Sequence, residues 1–242
     1  MFKDNKTKQI DTLLPDTEGI DQVVEINSQR FVQGDNMAFL RLIKKEMLFG
    51  YFHVGIVDPP YGISVGDMRL GATASSKPRT YEMGKWDNAV PTQEYWDLLK
   101  YACRNVICWG GNYFTKELDW AGRCYIVWDK LSPNMSFAPS ELALTTFDKN
   151  PIHIPCPRNK SVDEEGDRRH PTQKPVYLYD RLHLDFVERG QRVLDTHGGS
   201  FNHSIAAFKN NVELTIIERE KSYFNSGIEA YKLAACKPRL LF

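Results

Sequence analysis

The last third of the chain alternates helix and strand in short, regular units, and this alternation narrows the fold more than any other feature. Apolar spacing predicts a helix over 176–189, a strand over 192–195, a helix over 201–210, a strand over 213–217 and a helix over 220–233. Upstream, Val23 to Ile26 and Arg30 to Val32 flank Asn27-Ser28-Gln29, a hairpin-like signal. Asp35 then opens an amphipathic helix with Met37, Leu40, Ile43, Met47 and Leu48 on one face. A strand over 52–57, a helix over 92–103 and a strand over 105–109 follow, the last ended by Gly110-Gly111. A short helix over 113–119 and strands over 124–128 and 141–147 complete the middle. Strands alternating with helices imply α/β architecture, a doubly wound and mainly parallel sheet covered on both faces. With 242 residues there is enough chain for one such domain over 1–242. Residues 1–22 read as a loose arm, and 62–90 and 148–169 as irregular excursions, the first too long for an ordinary connection.

Composition removes several classes of function. No apolar run approaches the roughly 18–20 residues of a membrane span, and the polar start, Met1 to Lys6, lacks a signal-peptide core. Five cysteines without Cys-x-x-Cys spacing read as reduced thiols of a cytoplasmic protein, with no structural zinc and no other metal expected. The 31 basic residues are balanced by 31 acidic ones, which argues against bulk electrostatic binding of nucleic acid. Local basic patches remain compatible with that balance.

The strand over 52–57 stops at Asp58-Pro59-Pro60-Tyr61. Neither proline has a backbone N–H, so this turn continues neither a helix nor a central ladder. A carboxylate and a carbonyl released from ladder pairing are two acceptors, suited to a group with two N–H donors such as the exocyclic amine of a base. Tyr61 supplies a flat face for the ring that carries the amine. A plain proline-rich turn after a strand explains the same four residues.

A second segment, His170-Pro171-Thr172-Gln173-Lys174-Pro175, precedes the helix at 176, and the strand over 192–195 runs into Thr196-His197-Gly198-Gly199-Ser200. Together with Asp58 to Tyr61, this set resembles the S-adenosylmethionine-dependent DNA amino-methyltransferases. The order, catalytic tetrapeptide first and cofactor loop last, is similar to the beta-type, circularly permuted group. The resemblance spans about 23–233 and implies a class I, Rossmann-like methyltransferase fold with small target-recognition insertions. Its Asp-Pro-Pro-Tyr form implies adenine as the target, with S-adenosyl-L-methionine as cofactor and double-stranded DNA as partner. Beta-type relatives often pair, so a homodimer is a further expectation, and any accompanying restriction nuclease would be another chain.

Residue by residue, the resemblance assigns Asp58, Pro59, Pro60 and Tyr61 to catalysis. It assigns Asp35, Thr172, Lys174, Asp195, His197, Gly198, Gly199, Ser200 and Glu218 to the cofactor. Glu218, after the strand 213–217, suits ribose hydroxyls, as the acid does in dinucleotide folds. Asp35 suits the adenine amine and equally suits helix capping. The cations Lys77, Arg79, Lys85, Arg158, Lys160, Arg168 and Arg169 are candidates for DNA phosphates or base edges, and Tyr81 and Trp86 for stacking; a solvated loop explains the cations equally, and packing the two aromatics. The cofactor loop departs from the family's Asp-Pro-Phe-x-Gly-Ser-Gly pattern. Thr196 and His197 replace the proline and the aromatic, and Phe201-Asn202 replace small residues. His197 and His203 read as loop or helix-cap histidines, and Cys103 and Cys108 as packing. Three functions compete: an adenine-directed DNA methyltransferase, the same chemistry on cytosine amine, RNA or protein amide, and a catalytically silent module that binds DNA or the cofactor.

Overall fold

A computed structural model of the protein describes residues 5–62, 90–131, 138–157, 170 and 172–236. The strands are β1 (Ile20–Ile26), β2 (Gln29–Gly34), β3 (Phe52–Val57), β4 (Cys103–Trp109), β5 (Tyr125–Asp129), β6 (Ser140–Thr145), β7 (Ile152–Pro155), β8 (Arg192–Asp195) and β9 (Glu213–Glu218). They form one sheet in the order β1-β2-β9-β8-β3-β4-β6-β5-β7. From β2 to β4 every pair is parallel. β1 is antiparallel to β2, β6 is antiparallel to both β4 and β5, and β7 runs parallel to β5 at the edge.

The helices are α1 (Asn5–Leu13), α2 (Asn36–Lys45), α3 (Gln93–Ala102), α4 (Val176–Phe186), α5 (Asn202–Lys209) and α6 (Lys221–Ala235). They cover both faces. Phe39, Leu40 and Ile43 of α2 pack in one buried cluster with Tyr95, Trp96 and Leu99 of α3. Leu178 and Leu182 of α4, Ile205 and Ala206 of α5 and Phe224 and Tyr231 of α6 fill the other. Each central strand therefore has two apolar faces, as in Val193 facing one cluster and Leu194 the other. β8 leads to α5 on one face and β3 leads to α3 on the opposite face, so the topological switch point lies between these two neighbouring strands.

The structure differs from the sequence reading in several places. Within the expected loose arm, α1 is helical because Ile10 and Leu14 are buried against the α2 side of the sheet. Asp11 also pairs with Arg30, and the Thr7 and Tyr51 hydroxyls meet at 2.9 Å. α2 stops at Lys45, and Met47, at φ 53, is 81% exposed and not part of the apolar face. The short helix expected at 113–119 is a 3-10 turn at Gly111–Tyr113. The excursion at 148–169 contains β7, an edge strand that ends on a proline, as its missing ladder donor allows.

Candidate active site

Asp58 follows the end of β3 and its side chain is 19% exposed. Its Oδ1 accepts from the Tyr61 hydroxyl at 2.6 Å, and its Oδ2 accepts from Lys174 Nζ at 2.5 Å. Tyr61 stacks on Tyr113, centroids 5.0 Å apart and planes 13° apart, and meets the edge of Phe114 at 6.0 Å. Gly110 makes this packing possible. It stands at φ 66, and a Cβ there would lie 2.2 Å from the Tyr61 ring. Burial, then the neighbouring Asp58, pushes the Tyr61 hydroxyl well above its ordinary pKa, so it remains a donor at neutral pH.

Lys174 is 3% exposed and lies between two carboxylates, with Glu141 Oε2 3.4 Å away and Nζ 5.3 Å over the Trp109 ring. Lys130, itself buried, donates to Glu141 Oε1 at 2.7 Å. Charges thus alternate in the order Asp58, Lys174, Glu141, Lys130. Burial disfavours the Lys174 ammonium, but Asp58 and then Glu141 outweigh it and raise its pKa. Glu141 is likewise opposed by burial, yet Lys174 and Lys130 hold its pKa down.

β8 delivers Asp195 next to this cluster, because β8 and β3 are paired through Val54↔Val193 and Gly55↔Leu194. Both Asp195 oxygens are engaged inside the protein. Oδ1 accepts from the His197 N–H at 3.0 Å, and Oδ2 accepts from His203 Nδ1 at 2.8 Å. Burial pushes Asp195 up, with the His197 N–H working against it. His203, in α5, is no cap residue: it is 1% exposed, stacks on Tyr179, and its Nε2 lies 3.0 Å from His183 Nε2. Burial lowers its pKa to about 3, so the ring is neutral.

The unusual Thr196-His197 pair has its own network. Asn36 Nδ2 donates to the Thr196 carbonyl at 3.2 Å and lies 3.0 Å from His197 Nε2. That amide orientation makes Nε2 the acceptor and leaves the proton on Nδ1, 2.9 Å from Thr196 Oγ1. Thr196 Oγ1 also meets the Tyr95 hydroxyl at 2.7 Å. Burial, then Arg219, lowers the His197 pKa to about 3, which keeps the ring neutral.

Gly198 and Gly199 continue the loop, and Gly199, at φ 52, donates its N–H to Glu218 Oε2 at 2.8 Å. Glu218 Oε1 accepts the Glu220 N–H at 2.8 Å. Burial raises the Glu218 pKa to about 7, against those two N–H groups. Phe201, at φ 61, occupies a left-handed backbone position and stacks on Phe31 at 5.5 Å. The backbone there has the form that suits a glycine, while the ring fills core space beside Gly198 and Gly227. Asp35 ends β2 and caps α2, Oδ1 accepting from Met37 N at 2.9 Å. Thr172 Oγ1 is 3.1 Å from His170 Nδ1, and that ring meets Tyr223 edge-on at 4.6 Å. Ser200 is buried beneath the loop.

The structure therefore brings Asp58, Tyr61, Lys174, Asp195, His197, Gly199 and Glu218 to the carboxyl ends of β3, β8 and β9, with Asp35 at the end of β2. Lys77, Arg79, Tyr81, Lys85, Trp86, Arg158, Lys160, Arg168 and Arg169 lie outside the described residues. Sequence reasoning missed Glu141, Lys130, Tyr113, Asn36 and the His203–Asp195 pair. Only the last had a local signal, a histidine one helical turn beyond the loop. Four cysteines, Cys103 and Cys108 among them, are buried, and burial raises the pKa of both. Among the described residues no cluster fit to hold a metal ion occurs, and no helix is long and apolar enough to cross a membrane.

No family model and no curated protein matches the chain. Solved structures do match it. M1.HpyAVI in complex with SAM is similar at a TM-score of 0.55 and 15% identity, over 84% of this chain and 98% of that one. The cytosine-N4-specific PvuII DNA methyltransferase is similar at 0.54 and 12%, over 87% and 91%. TTHA0409 of Thermus thermophilus, solved with S-adenosyl-L-methionine, is similar at 0.52 and 15%, over 87% and 95%. The fold is the mainly parallel, Rossmann-like one of these proteins.

Proposed function

We propose that this chain is a DNA amino-methyltransferase that transfers a methyl group from S-adenosylmethionine to the exocyclic amine of adenine. The observation that carries this reading is the adjacency of β3 and β8. It puts an acceptor turn, Asp58 to Tyr61, beside a glycine loop, Asp195 to Ser200, at the switch point of a doubly wound sheet, where such folds bind ligands. Likeness to three DNA-methyltransferase or SAM-bound structures supports the same assignment. The beta-type permutation is part of the proposal. The strand that leads to the acceptor turn precedes, in sequence, the strand that leads to the glycine loop, although the two are neighbours in the sheet.

The residues present suit the cofactor by their chemistry. Acids at the ends of β2 and β9, Asp35 and Glu218, are acceptors for an adenine amine and ribose hydroxyls, and both stand beside the loop after β8. A Cβ on Gly199 would find its nearest neighbours in the His170 ring, at 3.7 Å, an ordinary van der Waals contact. Asp195 and Ser200, buried, shape the loop from within, while Thr172 and His197 line it. When bound, the cofactor supplies an electrophilic methyl on a sulfonium.

The chain's own residues orient the nucleophile. An aromatic amine's lone pair is delocalised into its ring, and accepting both N–H groups localises it on nitrogen. Asp58, with Lys174 on its Oδ2, accepts one N–H in place of the Tyr61 hydroxyl, and the Pro59 carbonyl accepts the other. No strand partner reaches Pro59 in the registers of β3 with β4 and β8. With the Lys174 ammonium 2.5 Å from its other oxygen, Asp58 acts by aligning the amine. An amine inside a duplex is out of reach, so the base is extruded and stacks on the Tyr61–Tyr113 pair. The basic residues at 77, 79, 85, 158, 160, 168 and 169 would contact DNA, with Tyr81 and Trp86 assisting, and the enzyme would act as a homodimer. Cytosine amine is the second reading, favoured by the likeness to a cytosine-N4-specific enzyme; the Asp-Pro-Pro-Tyr form favours adenine.

The test is Asp58→Ala, assayed for methyl incorporation into duplex DNA and for cofactor binding by calorimetry. Incorporation is expected to fall by about 10²-fold or more while binding is largely kept. Incorporation at the parent rate would reject the assigned chemistry.

A further inference from the structure

The charge ladder continues past the acceptor turn to residues outside the motifs named above. Glu141 opens β6 and Lys130 follows β5, and the antiparallel register Trp128↔Glu141 fixes them on the same rigid pair of strands. Lys130 is tied further by its N–H to the Pro139 carbonyl at 3.0 Å and lies 5.3 Å over the Trp128 ring. Glu141 spans the two cations, Oε1 at 2.7 Å from Lys130 and Oε2 at 3.4 Å from Lys174. Lys174 has no other anion of this kind on the side away from Asp58 among the described residues.

This arrangement matters when Asp58 changes partners. A lysine paired with a single carboxylate follows it, and an ammonium closed fully onto Asp58 would compete with the substrate amine. A second carboxylate on an immobile strand gives Lys174 a fixed position, independent of what Asp58 binds. Lys130 in turn balances Glu141, so the four groups carry two charges of each sign and no ion is left buried without a partner. We propose that Glu141 is a positioning residue for methyl transfer, anchoring Lys174 at Oδ2 so that Asp58 Oδ1 can exchange the Tyr61 hydroxyl for the substrate amine. This rests on the reading of Asp58 as the amine's acceptor.

The groups that interact with Lys174 are Asp58 beyond β3, Cys108 of β4, Glu141 of β6, His170, and Asp195 of β8. Of these Asp58 and Glu141 raise its pKa. Losing Glu141 therefore lets Lys174 lose its proton at lower pH.

The experiment compares the parent, Glu141→Gln and the double variant Lys130→Met/Glu141→Gln in steady-state methylation of duplex DNA across pH. Glu141→Gln is expected to lower kcat by about tenfold or more, leave KM for S-adenosylmethionine within about twofold, and bring the loss of rate at alkaline pH to lower pH than in the parent. The double variant removes one anion and one cation, so it should regain the parent's urea midpoint while its kcat stays low. A kcat unchanged in Glu141→Gln, or restored in the double variant, would overturn the proposal and leave the Asp58 reading standing. A parent that transfers no methyl to any DNA would overturn both. Lys174 labelled at Cε and titrated by NMR gives a readout apart from activity, and an unchanged midpoint in Glu141→Gln would also overturn the proposal.

Discussion

Lys174→Met isolates the electrostatic centre of the site. The substitution keeps an unbranched side chain but leaves Asp58 and Glu141 facing a neutral group. The Lys174 ammonium lies 2.5 Å from one carboxylate and 3.4 Å from the other. At an effective dielectric of about 20, the two attractions amount to about 7 and about 5 kcal/mol before any cost is counted. Removing the ammonium and two carboxylates from water costs several kcal/mol per ion, which cancels most of that sum. Breaking such a buried set by deleting one member is expected to destabilise the fold by about 3–5 kcal/mol at pH 8. The pH dependence belongs to the variant. Lys174 has a folded pKa raised above 10.5, so its contribution is constant across pH 5 to 8 and is lost only as pH rises through that folded value. In the variant Glu141 keeps only Lys130 and loses the Lys174 ammonium that helped hold its pKa down, so it binds protons more readily when folded and the deficit shrinks at pH 5. Urea unfolding at both pH values measures it. A deficit under about 1 kcal/mol at pH 8, or one equal at pH 5 and pH 8, would refute the reasoning.

Two further outcomes follow from the glycine loop after β8 and its surroundings. Gly227→Ala places a Cβ 2.4 Å from the Phe201 ring; the strain of about 1–3 kcal/mol exceeds the roughly 1 kcal/mol gained by alanine in a helix, so the melting temperature falls, whereas a rise would contradict the packing. Glu218 has a folded pKa of about 7 against an ordinary 4.5, so between those values the unfolded chain releases its proton first and stability declines as pH rises, then levels off above about 7. The parent-minus-Glu218→Gln difference should carry that slope, and calorimetry should show tighter S-adenosylmethionine binding in the parent at pH 8 than at pH 6, since the ionised acid is the better acceptor for hydroxyls; equal affinities would count against Glu218 as the ribose partner.

Local signals made much of the site legible. The strands over 52–57 and 192–195 end where the sequence places them because an acid and then prolines or glycines stop each apolar run. Asp35 was readable as both a cap and a candidate ligand, and it caps α2. What was hidden depends on pairing between distant residues. Glu141 looks like an exposed strand acid until the register of β5 and β6 sets it against Lys130 and Lys174. α1 looks polar because only one side, with Ile10, meets the core, and Arg30 inside β2 gains its partner Asp11 from that same helix. β7 is a four-residue edge strand that borrows its regularity from β5. Phe201 reads as a departure from a glycine position, yet the backbone keeps the left-handed form while the ring fills the space beside Gly198 and Gly227.

The most direct measurement incubates duplex DNA with the protein and methyl-labelled S-adenosylmethionine, digests it to nucleosides and identifies the product by mass spectrometry. Label is expected on the exocyclic nitrogen of adenine, and is lost in Asp58→Ala. Label on a ring carbon of cytosine, or unlabelled DNA beside demonstrable cofactor binding, would contradict it.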